Sequence, residues 1–203
     1  MHPDDKIRMS AIKISCSKQL KLETKAVHVD AERLIIKKLR MINSIDEYIK
    51  FLKLYFGFFN PLEILVKKYI SVKVLNDVSK RGNTTRIIND IEILAGDKIM
   101  LLAPSLPYVT NTLQAFGVMY VMEGSTLGGL IISKMLREKG IEIINNGLTF
   151  FEGYGEDTLE MWHRFTECLD DNFKKDDQIN QIVLSAKGTF IEMKEWILKN
   201  DIK

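Results

Sequence analysis

The sequence predicts an all-α protein of one domain, and three observations carry that expectation. Only four prolines interrupt 203 residues, so hydrogen-bonded helices are permitted almost throughout. Apolar residues recur at spacings of three and four, the period of a helix with one buried face. A chain of this length buries one substantial core without needing to divide. Residues 1–16 read as a loose leading segment and 17–203 as the domain.

Taken in order, Ser17 is placed to cap a helix through Leu20, Ala26, Val27, Ala31, Leu34 and Ile35 to about Leu39. Ser44-Ile45-Asp46-Glu47 is a capping box, with Ser at N-cap and Glu at N3. It opens a helix through Tyr48, Phe51, Leu52, Tyr55 and Phe56. Pro61 cannot donate a backbone hydrogen bond and disfavours helical geometry at Asn60, so a bend or restart is expected there. Residues 71–84 read as a short or broken helix, with a strand as the alternative. Thr84 or Thr85 caps the next helix, which Gly96 stops. Pro104 and Pro107 mark 97–108 as a connection. A glycine-rich helix follows from about Val109 to Lys139, ended by Gly140. Residues 145–155 form a loop carrying Phe150, Phe151 and Tyr154. Asp157 or Thr158 caps a helix through Trp162, Phe165, Leu169 and Phe173; the last helix runs from Gln178 to Lys199.

Charge and composition exclude several function classes. A net charge of +2 gives no global case for nucleic acid or an anionic membrane. Two cysteines, Cys16 and Cys168, stand in no metal-like spacing and read as reduced thiols. No window reaches about 18 uninterrupted apolar residues, because Glu123 breaks the best candidate. With a charged start that lacks an apolar signal core, a cytoplasmic protein without a membrane span is expected.

Gly117 to Leu136 stands apart from the other helices. It has the apolar content of a buried helix, yet carries glycines at 117, 124, 128 and 129, each costing about 1 kcal/mol against alanine in a helix interior. Gly124 and Gly128 are four apart and share one face, leaving a strip of bare backbone. Such a strip accommodates either another helix or a planar ligand. His28, mid-helix in the first element, has Leu20, Thr24, Ala31 and Ile35 about its face. It reads either as a core histidine or as an axial ligand to heme iron. A ligating imidazole needs an acceptor for its other nitrogen, and Glu32 at i+4 is placed to supply one. Lys18, Lys21 and Lys25 lie N-terminal to it on adjoining faces and could hold the propionates of a heme; Arg164 or Lys187 could do the same.

These residues resemble a known family. Leu20 to Glu32, LKLETKAVHVDAE, is similar to the proximal-helix motif of heme oxygenases, and Tyr120 to Gly129, YVMEGSTLGG, to the distal helix of the same family. The resemblance covers roughly residues 17–198 and points to the bacterial branch associated with biliverdin supply for phytochromes. It implies a single-domain heme-oxygenase-like helical bundle, with heme between a proximal and a glycine-kinked distal helix. It implies that His28 binds the iron and that Gly124, Ser125, Gly128 and Gly129 shape the distal wall. Lys21 aligns with a lysine that contacts a propionate, Arg164 or His163 with an arginine of the family, and Phe190 packs near the heme. The implied reaction is oxidative cleavage of heme to biliverdin, ferrous iron and carbon monoxide. Electrons come from a separate reductase or ferredoxin, since the chain has no nucleotide-binding glycine loop or iron–sulfur cysteine set. Animal members carry aspartate immediately after the first distal glycine, whereas this chain has Ser125, which cannot act as a carboxylate buffer. A non-catalytic heme carrier or sensor, or a helical fold unrelated to heme, are the alternatives.

Overall fold

In a computed structural model, residues 14–82, 84–140 and 146–200 are described. Among them are six α-helices and no strand: α1 (Cys16–Met41), α2 (Ile45–Tyr69), α3 (Thr84–Ile93), α4 (Thr112–Arg137), α5 (Thr158–Asn172) and α6 (Asp176–Lys199). Single 3-10 turns at Val78–Lys80 and Gly155–Asp157 complete the regular structure. Residues 71–82 are therefore turns around the short 3-10 helix Val78–Lys80, not a strand. Residues 1–13, which hold most of the expected leading segment, lie outside the described residues.

Local chemistry explains where the boundaries differ from the sequence expectations. Ser15, not Ser17, precedes the first helical residue of α1. Ser17 instead gives its N–H and hydroxyl to the two carboxylate oxygens of Asp170, both at 2.7 Å, pinning the start of α1 to α5. The capping box of α2 forms, with Glu47 N–H donating to Ser44 Oγ at 3.3 Å. Its return arm reaches the N–H of Asn43 at 2.6 Å. No restart occurs at Pro61: α2 is one continuous helix across it. The proline leaves the Gly57 carbonyl without its helical donor, and the Ala103 N–H takes that place at 2.9 Å. Gly57 must be glycine there, because a Cβ would overlap the Leu101 carbonyl and stand 2.7 Å from the Trp196 ring. At the end of α3 the left-handed residue is Ala95 (φ 58°), one before the expected Gly96. Asn111 caps α4 through the Gln114 N–H at 2.9 Å, and Gly140 ends it at φ 69°.

One hydrophobic core joins all six helices. α6 lies against both α1 and α4. Lys187–Glu23 at 2.8 Å and Lys194–Asp30 at 3.4 Å show that α6 and α1 run side by side in the same direction. By length and composition α4 is able to cross a membrane despite Glu123, and half of its most apolar stretch is buried inside this fold.

Candidate functional site

α1 and α4 meet where Tyr120 lies beside Thr24, and again where Lys139, just past α4, donates to the Arg40 carbonyl at 2.9 Å. The 16 residues of α1 between these points span about 24 Å. His28 is the next residue along the Thr24 face of α1, and Gly124 and Gly128 follow Tyr120 along its face of α4. The two helices thus present His28 and the glycine strip to the same slot.

His28 is exposed, so it is not a core histidine. No hydrogen bond holds it among the described residues, and its ring lies 5.2 Å from that of Phe190, which α6 brings to the same place. A Cβ at Gly128 would meet nothing within 4 Å; one at Gly124 would meet only the edge of Trp162, at 3.7 Å. A free imidazole at one wall and side-chain-free backbone at the other fit a planar iron porphyrin. The strip continues to Ile131, 61% exposed and on the Gly124 face, which supplies apolar wall without covering it.

The four glycines of α4 divide into two pairs. Gly117 and Gly129 serve packing: a Cβ at Gly117 would overlap the Ile182 carbonyl of α6, and one at Gly129 the Phe151 carbonyl of the 146–155 loop. Gly129 is therefore turned away from the slot, a correction to its expected place on the distal wall. The helix is continuous through all four glycines.

Ser125 is also turned. Its hydroxyl donates to the Met122 carbonyl at 2.7 Å, and the residue lines a separate cavity of about 60 Å³ with Tyr55, Phe59, Thr126, Phe150 and Tyr154. Arg164 does not reach the slot. It lies two residues, about 200° of helix, beyond Trp162, and pairs with Glu160 at 2.9 Å. Lys21 is exposed two turns before His28, on the same side of α1. No ion pair holds Lys18, Lys21 or Lys25 among the described residues. Lys187 is committed to Glu23. Glu32 is exposed one turn beyond His28 with no bond between them.

A buried cluster beneath the strip escaped sequence reasoning. Arg81, 1% exposed, donates to Asp77 at 2.6 and 2.9 Å, to the Met161 carbonyl at 2.9 Å, and to Glu123. Tyr154 donates to the other Glu123 oxygen at 2.8 Å. Burial pushes the Glu123 carboxyl up, and the guanidinium beside it opposes that shift. These contacts fix the residue immediately before Gly124. The only sequence signal was a glutamate inside an apolar helix, which demands a buried cation; nothing local identifies Arg81 as that cation.

The overall arrangement matches a solved structure. The NO- and CO-bound heme oxygenase from Neisseria meningitidis superimposes with a TM-score of 0.77 at 22% identity, over 92% of each chain. No curated protein matches the chain. The heme oxygenase family model matches residues 14–199, from the residue before the N-cap of α1 to the end of α6. The chain belongs to the heme oxygenase family, whose substrate is heme.

Proposed function

We propose that this chain cleaves heme to biliverdin, ferrous iron and carbon monoxide, using dioxygen and external electrons. The observation that carries the reading is an exposed, unpartnered imidazole at His28 sharing a slot with the bare strip of Gly124 and Gly128. Bound heme supplies the iron that activates dioxygen and the macrocycle that is oxidised. His28 acts as axial ligand, and Glu32 accepts from its second nitrogen through water. Lys21 neutralises a propionate at the slot edge. Gly124 and Gly128 admit the distal face of the heme against the main chain, where crowding excludes bulk water and directs oxidation to one edge. Phe190 backs the His28 ring and limits its rotation. The Tyr120 hydroxyl, beside Thr24 and pushed above its usual range by burial, stays protonated beside the strip.

Electrons come from a separate reductase or ferredoxin, and a phytochrome is a fitting receiver for the biliverdin. A cytoplasmic, reducing location is in keeping with the two free cysteines, Cys16 and Cys168. A heme carrier or sensor is the second reading, favoured by Ser125: its hydroxyl is committed to Met122, and Gly124 and Gly128 bring no carboxylate to the strip. Titration with heme to one equivalent, followed by ascorbate or a ferredoxin system, separates the two. The enzyme loses its Soret band and gains biliverdin absorbance. A Soret band that persists through the reducing step makes it a carrier, and absence of stoichiometric binding removes both readings.

A further inference from the structure

The slot is asymmetric. At one end the Tyr120 and Trp162 rings lie 5.5 Å apart, tilted by 52°. Tyr120 lies beside Thr24 at this end, and the six-membered ring of Trp162 stands 3.7–3.8 Å from where a Gly124 Cβ would be. Trp162 is itself backed by Phe165 at 6.0 Å, a fully buried core residue. At the other end Gly128 faces open space and Ile131 is uncovered. A flat ligand entering this slot therefore meets a fixed aromatic wall on the Thr24 side and free ground on the Gly128 side.

We propose that Trp162 is a specificity-determining residue: with Tyr120 it blocks the Thr24 end of the slot, so that heme seats over Gly128 in one in-plane position and a single meso edge faces the strip. This rests on the reading that heme is bound and oxidised here. Trp162 suits the task because its ring is large and rigid, and its position is set by packing on two sides rather than by a hydrogen bond. The indole N–H donates to no group among the described residues, so contact area alone does the positioning.

Two variants test it, Trp162→Ala and Trp162→Phe, with folding checked by circular dichroism. The first readout needs no turnover: the heme-methyl proton shifts of the ferric cyanide complex report how heme is rotated about its axial ligand. The second is the biliverdin isomer ratio by chromatography. Trp162→Ala changes the shift pattern and alters the isomer ratio by about threefold to tenfold, the range that loss of one aromatic contact allows. Trp162→Phe shifts both in the same direction by less, and decides alone if the alanine variant does not fold. Wild-type shifts and isomer ratio in the variants overturn the proposal. So does tighter heme binding by Trp162→Ala with an unchanged pattern, since the ring would then be occupying the place of heme. If the wild type makes no biliverdin, the proposed activity fails, while the methyl shifts still decide the seating.

Discussion

Gly128 and Gly129 are neighbours in one helix with opposite duties, and substitution separates them. Nothing occupies the space a Gly128 Cβ would fill, so Gly128→Ala stabilises the heme-free protein by up to about 1 kcal/mol through helix propensity. That is roughly 2–4 °C in melting temperature, at the expense of heme turnover. Gly129→Ala drives a Cβ into the Phe151 carbonyl and destabilises by about 1–3 kcal/mol. Thermal melts of the two heme-free variants check the contrast. His28→Ala removes the proposed axial ligand and is expected to nearly abolish turnover; added imidazole restores part of the wild-type heme spectrum. Asp90 gives a signed pH dependence. Burial holds its carboxyl above the usual range, against three hydrogen bonds from Thr149 and Phe150. The folded state thus binds this proton more tightly than the unfolded chain, and the contribution to stability falls as pH rises through the folded value. The stability margin of the wild type over Asp90→Asn narrows from about pH 4, the ordinary aspartate range, to about pH 7, as denaturant titrations at the two pH values will show. His28 was legible as a candidate because imidazole in a helix with few other donors is rare. The turn of Gly129 away from the slot was not, since period alone cannot say which neighbour fills a face.

α4 works as a wall on one side and as a core element on the other, and its charge cluster holds the two together. Arg81 is shared by Asp77 and Glu123, with its guanidinium 5.8 Å from the Phe165 ring. Arg81→Met leaves two buried carboxylates facing each other and costs about 3–5 kcal/mol. Glu123→Gln keeps one carbonyl oxygen to accept from Arg81 and turns its NH2 to donate to the Tyr154 oxygen, and costs about 1–2 kcal/mol. Urea denaturation gives the ranking; an equal loss in both variants would contradict the shared-cation account. Helix existence was readable throughout because the apolar period of 3–4 extends over long segments. Helix ends were less so. Pro61 in α2 reads locally as a break, but the acceptor it orphans is satisfied by Ala103 from a loop more than 40 residues away. Ser17 reads as a cap, yet its hydrogen-bonding groups belong to Asp170 in α5. Each miss is a tertiary partner overriding a sound local rule.

For the whole molecule, heme and the apolar core are separate sources of stability. The core closes without heme around α6, while the slot between α1 and α4 leaves His28 and Ile131 in solvent. Heme at about 100-fold over its dissociation constant adds about 2.7 kcal/mol, or roughly 5–10 °C in melting temperature for a chain of this size. The fold was legible, and so were His28 and the Gly124/Gly128 pair as candidates, because both motifs are local, each within one helix. Their juxtaposition, the Trp162 wall and the turning away of Ser125 and Arg164 depend on how helices rotate against each other, which no single segment encodes. The central claim is that one porphyrin lies between His28 and the Gly124/Gly128 strip. The most direct measurement is the crystal structure of the ferric heme complex. It will place the iron within bonding distance of a His28 ring nitrogen and the macrocycle against the Gly128 backbone; iron bound to any other residue, or heme outside the α1–α4 slot, contradicts the account.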